Sequence, residues 1–233
     1  MAEIDHTRPA PNPARASHVR FVFIDTEATG LDLERQELTE VSWIVRHKNG
    51  GEIERCYFPE HTLDGADEEA LRMTDYHAKI APQPRTPMAQ WLGQLLYDAK
   101  DAVLVGAVPD FDSRQLAKAC RKLNVEPTWD HHLLDVETLA LPLIAEGPQK
   151  PRSLAKTCDA LGVPHDRSQA HGALYDAQQA RAVFDRVWDL LAELRTAGAP
   201  LPPPVAVPTK GGGANGQVSA ASAPAKVDDN VKN

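Results

Sequence analysis

The chain has 233 residues, 42% of them hydrophobic and 6% aromatic, which is enough for one domain with a sizeable core. Its 25 basic and 33 acidic residues give a net charge of -8, which excludes the basic footprint of a strong nonspecific nucleic-acid binder. No apolar run approaches the roughly 20 residues of a membrane helix, and Cys56, Cys120 and Cys158 are too scattered for a disulfide framework or paired-Cys zinc site, so a soluble cytoplasmic protein is expected.

The two ends differ from the middle. Residues 1–18, with Pro9, Pro11 and Pro13, and residues 197–233, with Pro202–Pro204 and Gly211–Gly213, bury too little apolar surface to offset ordering entropy and read as disordered tails. Residues 19–196 hold the folding domain, with 20 basic against 29 acidic residues, a net of -9. The C-terminal tail suits recruitment of a partner, a polymerase among the candidates, or simple spacing.

Residues 19–24 (VRFVFI) are β-branched and aromatic, predicting a strand that a turn at Thr29-Gly30 follows. Leu38 to Val45 and Glu52 to Phe58 flank Lys48-Asn49-Gly50-Gly51 and form a predicted hairpin, because Asn-Gly favours the left-handed conformations of a tight turn. With the first strand they make an antiparallel meander. Pro87 to Leu96 has a helical pattern, Ala102 to Val105 a short buried strand, and Phe111 to Leu123 a helix that ends before Pro127. His132 to Val136 is a candidate fifth strand. Helices follow at 137–145 and 153–161, with Ser153 as N-cap and Gly162 as C-terminal stop. The last helix spans about Gly172 to Thr196, and Val183, Phe184, Val187, Leu190, Leu191 and Leu194 form its core stripe. The order predicts an α/β fold around a sheet of mixed direction.

Three acidic motifs lie on this frame. Asp25-Thr26-Glu27 closes the first strand, and the strand period of two puts both carboxylates on one face. Held this close they repel unless a cation sits between them, and hard divalent cations take oxygen ligands. Asp110-Phe111-Asp112 opens the mid-chain helix, where an acid also serves as a cap. His171 and Asp176, five apart, stand at the entrance to the last helix. Singly, each motif is as well explained by a solvated strand end, a cap or a surface His; His131, His132 and His165 read as structural.

The three motifs in this order resemble the DnaQ-like 3′-to-5′ exonucleases of the DEDD superfamily, in the DEDDh subgroup whose base is His. The resemblance covers about residues 19–196. It implies a ribonuclease H-like fold, with the meander extended by parallel strands and flanked by helices. It further implies Asp25, Glu27, Asp112 and Asp176 as ligands of two divalent cations, Mg²⁺ or Mn²⁺, and His171 as general base. Thr26, Ala28 and Leu31, with Glu69 and Met73 on a helix after the meander, are the implied neighbours of the terminal nucleotide. Lys118, Arg121, Lys122, Lys150, Arg152 and Lys156 either guide the strand or form a solvated face. Where the second motif commonly has Asn, this chain has Val108, so a loop hydrogen bond is expected to be lost or replaced.

The expected substrate is single-stranded or frayed DNA at its 3′ end. RNA is the alternative, because recognition of the 2′-hydroxyl is not legible here. A noncatalytic nucleic-acid- or partner-binding module ranks below both, since it would leave the acidic set broken.

Overall fold

The computed structural model describes residues 13–15, 17–147 and 149–197, so the remaining residues of both expected tails lie outside the description. Five strands form one sheet in the order β3-β2-β1-β4-β5: β1 (Arg20–Ala28), β2 (Leu38–Arg46), β3 (Glu52–Tyr57), β4 (Ala102–Gly106) and β5 (Leu133–Asp135). β1 pairs antiparallel with β2 and β2 with β3, while β1–β4 and β4–β5 are parallel. The mixed α/β sheet expected from the sequence is therefore present.

Strand alternation divides the core. Val22 and Ile24 of β1 face α3 (Met88–Asp98) and α4 (Pro109–Lys122), joining Trp43, Trp91, Leu92, Leu95 and Leu116. Phe23 faces the other way, among residues of α5 (Val136–Ile144), α6 (Leu154–Leu161) and α7 (Ala173–Thr196). Two short helices, α1 (Glu68–Met73) and α2 (Tyr76–Lys79), follow the meander. Val136 belongs to α5 and not to the fifth strand, because Asp135 already caps that helix by accepting the Glu137 N–H. Ser153 occupies the N-cap of α6 without a side-chain cap bond, and Gly162 closes that helix at φ +67°.

The core stripe of α7 is confined to its first two-thirds. Val183, Phe184 and Val187 are buried, Leu190 and Leu191 pack at the core's margin, and Leu194 is exposed because the helix has outrun the core. Polar contacts fix α7 in register along the sheet. Buried Arg46 makes a bidentate pair with Asp185 at 2.6 and 2.9 Å, also holds Glu52, and lies 4.8 Å over the Phe23 ring. Arg181 pairs with Glu52 at 2.7 Å. Arg15, within the segment expected to be a loose lead-in, forms a fork with Asp189 at 2.9 and 3.0 Å. Pro13–Arg15 is a short 3₁₀ turn, so this part of the N-terminal segment is anchored by charge pairing that composition did not reveal.

Candidate active site

Asp25 and Glu27 share Phe23's face of β1, the side covered by α7, while Thr26 shares the face of Ile24. Gly106 ends the neighbouring β4, and a Cβ there would stand 2.8 Å from the Ile24 carbonyl oxygen. Only glycine permits this approach, which brings the start of α4 beside the acidic end of β1. Asp112, in the first turn of α4, is 3% exposed, and Thr26 Oγ1 donates to its Oδ1 at 2.7 Å. Asp110 points outward and pairs with Arg114 along the helix, which separates the two acids that motif spacing alone had left adjacent.

Asp176 comes from the first turn of α7, and its Oδ2 accepts the backbone N–H of His171 at 3.0 Å. That bond accompanies a left-handed backbone at His171, φ +60°, and His is one of the side chains enriched in this region. Ligand atoms of Glu27, His171 and Asp176 lie within 4.8 Å of one another. A second such group, Asp130, His131 and His132, directly precedes the edge strand β5, with both imidazoles in solvent.

The electrostatics are those of crowded, largely buried acids. Burial first, then the charges of Asp112, Glu27, Asp176 and Glu40, hold the Asp25 carboxyl well above the usual range. Burial and the neighbouring Asp176, Glu40 and Asp112 push Glu27 up to about 8, with Lys79 opposing. Asp112 is pushed to about 7 by burial against the lowering effect of the Thr26 hydroxyl. Asp176 is raised by burial against the His171 N–H. Four converging carboxyls of hard oxygen, each pushed toward its neutral form, form a donor set that suits divalent cations.

The remaining implied residues are placed less uniformly. Thr26 and Ala28 are buried in β1, whereas Leu31 is 83% exposed in the loop beyond it. That loop is tied down: Thr29 Oγ1 donates to Gln36 at 2.6 Å, and the Asp67 N–H reaches the Thr29 carbonyl at 2.7 Å, joining the start of α1 to it. Met73 on α1 is 49% exposed, and Glu69 pairs with Arg72 on its own helix. Lys118 is spent on the same loop, donating to the Glu34 and Gln36 carbonyls at 3.2 and 2.7 Å, and Lys122 pairs with Glu37 at 3.7 Å. Arg152 reaches the Ile144 carbonyl at 3.5 Å, and Lys150 and Lys156 stand in solvent. Val108, in place of the usual Asn, adopts φ +57° and donates its backbone N–H to Asp135 Oδ1 at 3.4 Å.

Two residues near the cluster were not picked out from sequence. Lys79 of α2 acts on Glu27 and Asp176. Glu40 is 7% exposed and lies opposite Glu27 in the β1–β2 ladder. Glu40 shares β2 with Thr39, Ser42 and Arg46, so no local pattern singled it out.

A mixed sheet carrying a carboxylate cluster at the junction of β1, α4 and α7 is the arrangement of a DnaQ-like 3′-to-5′ exonuclease of the ribonuclease H-like superfamily. The chain belongs to the exonuclease family of RNase T type, which matches residues 22–184. Ribonuclease T of Marinobacter nauticus is 25% identical over 218 residues, covering 87% of this chain and 96% of the relative. Among solved structures, the zinc-bound single-stranded DNA complex of E. coli exonuclease I superposes with TM-score 0.59 at 18% identity over 77% of this chain. Exonuclease I of Methylocaldum szegediense gives 0.61 at 19% over 76%. The chain spans only 44% and 42% of those two structures, so the likeness is one of fold.

Proposed function

We propose that this exonuclease removes nucleoside 5′-monophosphates from the 3′ ends of single-stranded or frayed DNA in a reaction that depends on Mg²⁺ or Mn²⁺. The observation that carries the proposal is the convergence of Asp25, Glu27, Asp112 and Asp176 beside His171. Asp25, Glu27 and Asp176 would hold one cation, and Asp25, with Asp112 contributing, a second. Bound there, the cations supply an activated water and neutralise the charge on the phosphodiester oxygens. His171, exposed and within reach of Glu27 and Asp176, takes the proton of the attacking water, a task suited to an imidazole at neutral pH. The backbone of Thr26, with Ala28, orients the terminal sugar, while the uncovered apolar side chains of Leu31 and Met73 offer faces for the base. Glu69, exposed on α1, is the further residue proposed to meet the terminal nucleotide.

The E. coli relative bound to single-stranded DNA supports DNA as substrate. The match to a ribonuclease T along nearly its whole length favours RNA as the second reading. Matched 3′-labelled DNA and RNA oligomers, digested with and without Mg²⁺ or Mn²⁺, separate the two. Asp25→Ala and Asp176→Ala are expected to abolish digestion of both, and undiminished digestion by either variant would overturn the assignment.

A further inference from the structure

Helix α7 carries Asp176 and follows directly on His171, yet its own N-cap is Gly172, which has no side chain to offer the helix. The first turn of a helix leaves backbone N–H groups unsatisfied, and an N-cap side chain ordinarily accepts one from the second or third helical residue. Serine or aspartate at position 172 would be the usual remedy. Space argues against it, because a Cβ there would lie 3.3 Å from the Gln169 carbonyl oxygen.

The acceptor comes instead from a different strand. Glu40 Oε1 on β2 accepts the N–H of Leu174, the second residue of α7, at 3.3 Å, a contact between residues 134 apart in sequence. The same oxygen receives the Ser42 hydroxyl at 3.3 Å and the Cys56 thiol at 3.5 Å, so its position is defined from three sides. Glu40 is also the direct cross-strand partner of Glu27. Like charges facing each other across a ladder are unfavourable, and the positive end of α7 offsets that placement.

We propose that Glu40 is a positioning residue: it caps α7 from β2 and thereby fixes Asp176 and His171 against Glu27. The proposal rests on the assignment of Asp25, Glu27 and Asp176 as cation ligands. Glu40 acts through the Leu174 N–H and touches no reacting atom, so an uncharged acceptor of the same length serves in its place.

The test compares Glu40→Gln with Glu40→Met in the full-length protein. Gln keeps the acceptor without the carboxyl, and Met keeps the length without a strong acceptor. Mn²⁺ binding is measured calorimetrically at 10 °C without substrate, beside kcat and KM on a 3′-labelled oligonucleotide, with Asp25→Asn as reference. Glu40→Met is expected to weaken Mn²⁺ binding about tenfold or more and to lower kcat with KM unchanged. Glu40→Gln is expected to stay within about threefold of wild type on each. A merely structural role would lower the melting temperature and leave Mn²⁺ affinity at 10 °C intact. Wild-type affinity in Glu40→Met overturns the proposal, as does a Gln variant as impaired as the Met one. If Glu40→Met does not fold, the Gln variant alone decides: lost Mn²⁺ affinity overturns the proposal and retained affinity supports it. If Asp25→Asn digests normally, the site assignment falls and the proposal with it; if Asp25→Asn is inactive and Glu40→Met behaves as wild type, only the proposal falls.

Discussion

Thr26 Oγ1 donates a 2.7 Å hydrogen bond to Asp112 Oδ1, joining the strand that carries Asp25 and Glu27 to the helix that carries the third acid. Both partners are buried. The hydroxyl lowers the Asp112 pKa against the raising effect of burial, so it favours the charged form that a cation requires.

Thr26→Val, which keeps the volume and removes the donor, is expected to reduce nuclease activity on the order of 10-fold, as loss of a ligand-orienting partner does. Thr26→Ser should stay near wild type. Steady-state digestion of a 3′-labelled oligonucleotide measures both. Full activity in Thr26→Val would show that Asp112 needs no orienting partner.

The raised carboxyls fix the direction in which pH acts on the metal-free fold. Glu27 sits near 8 when folded, against its ordinary value of 4.5, and Asp112 near 7 against 3.8. Between those limits the unfolded chain has released protons that the folded chain still binds. This contribution to stability is therefore fully present below about pH 4 and is lost as pH rises through 7 to 8, by about 1.4 kcal/mol per pH unit for each proton retained. The melting temperature in EDTA is expected to fall from pH 5 to pH 8, and Mn²⁺ should restore it more strongly at pH 8 than at pH 5. Glu27→Gln should flatten the EDTA profile. A profile that rises over this range would contradict the burial of an uncompensated acidic cluster.

What the sequence made legible depended on how locally each feature was encoded. Asp25 and Glu27 could be placed on one face because strand alternation is a property of adjacent residues, and the hairpin followed from Asn49-Gly50. Asp112 and Asp176 were recognisable at helix starts, but only their order along the chain joined them to β1. Glu40 lacked such a signal, since its partners Leu174 and Cys56 are brought to it by tertiary packing. The same holds for Arg46 and Asp185, whose pairing spans 139 positions, and for Arg15, whose Pro-rich surroundings concealed its docking on Asp189. Leu194 erred in the other sense: it continues the apolar period of α7, but periodicity does not say where the core ends. The acidic balance was also ambiguous at first, because carboxyls gathered at one site count against nucleic acid in a charge sum while suiting the cations that meet phosphate.

Val108 is the N-cap of α4, with φ +57° and ψ +51°, and its side chain is 56% exposed. A β-branched residue in this left-handed region carries a steric cost of roughly 1–2 kcal/mol, which asparagine and glycine largely avoid. Because the side chain buries little, removing it forfeits little packing, and the backbone N–H to Asp135 is available to any residue except proline. Val108→Asn is therefore expected to raise the melting temperature by about 2–4 °C. Val108→Gly should gain less, since glycine adds unfolded-state entropy that offsets roughly 0.5–1 kcal/mol of the relief. Val108→Pro should destabilise, because its ring cannot adopt a positive φ and it removes the donor to Asp135. Differential scanning calorimetry on the three variants reads this order directly, and a melting temperature for Val108→Asn at or below wild type would mean that no strain is held at the start of α4.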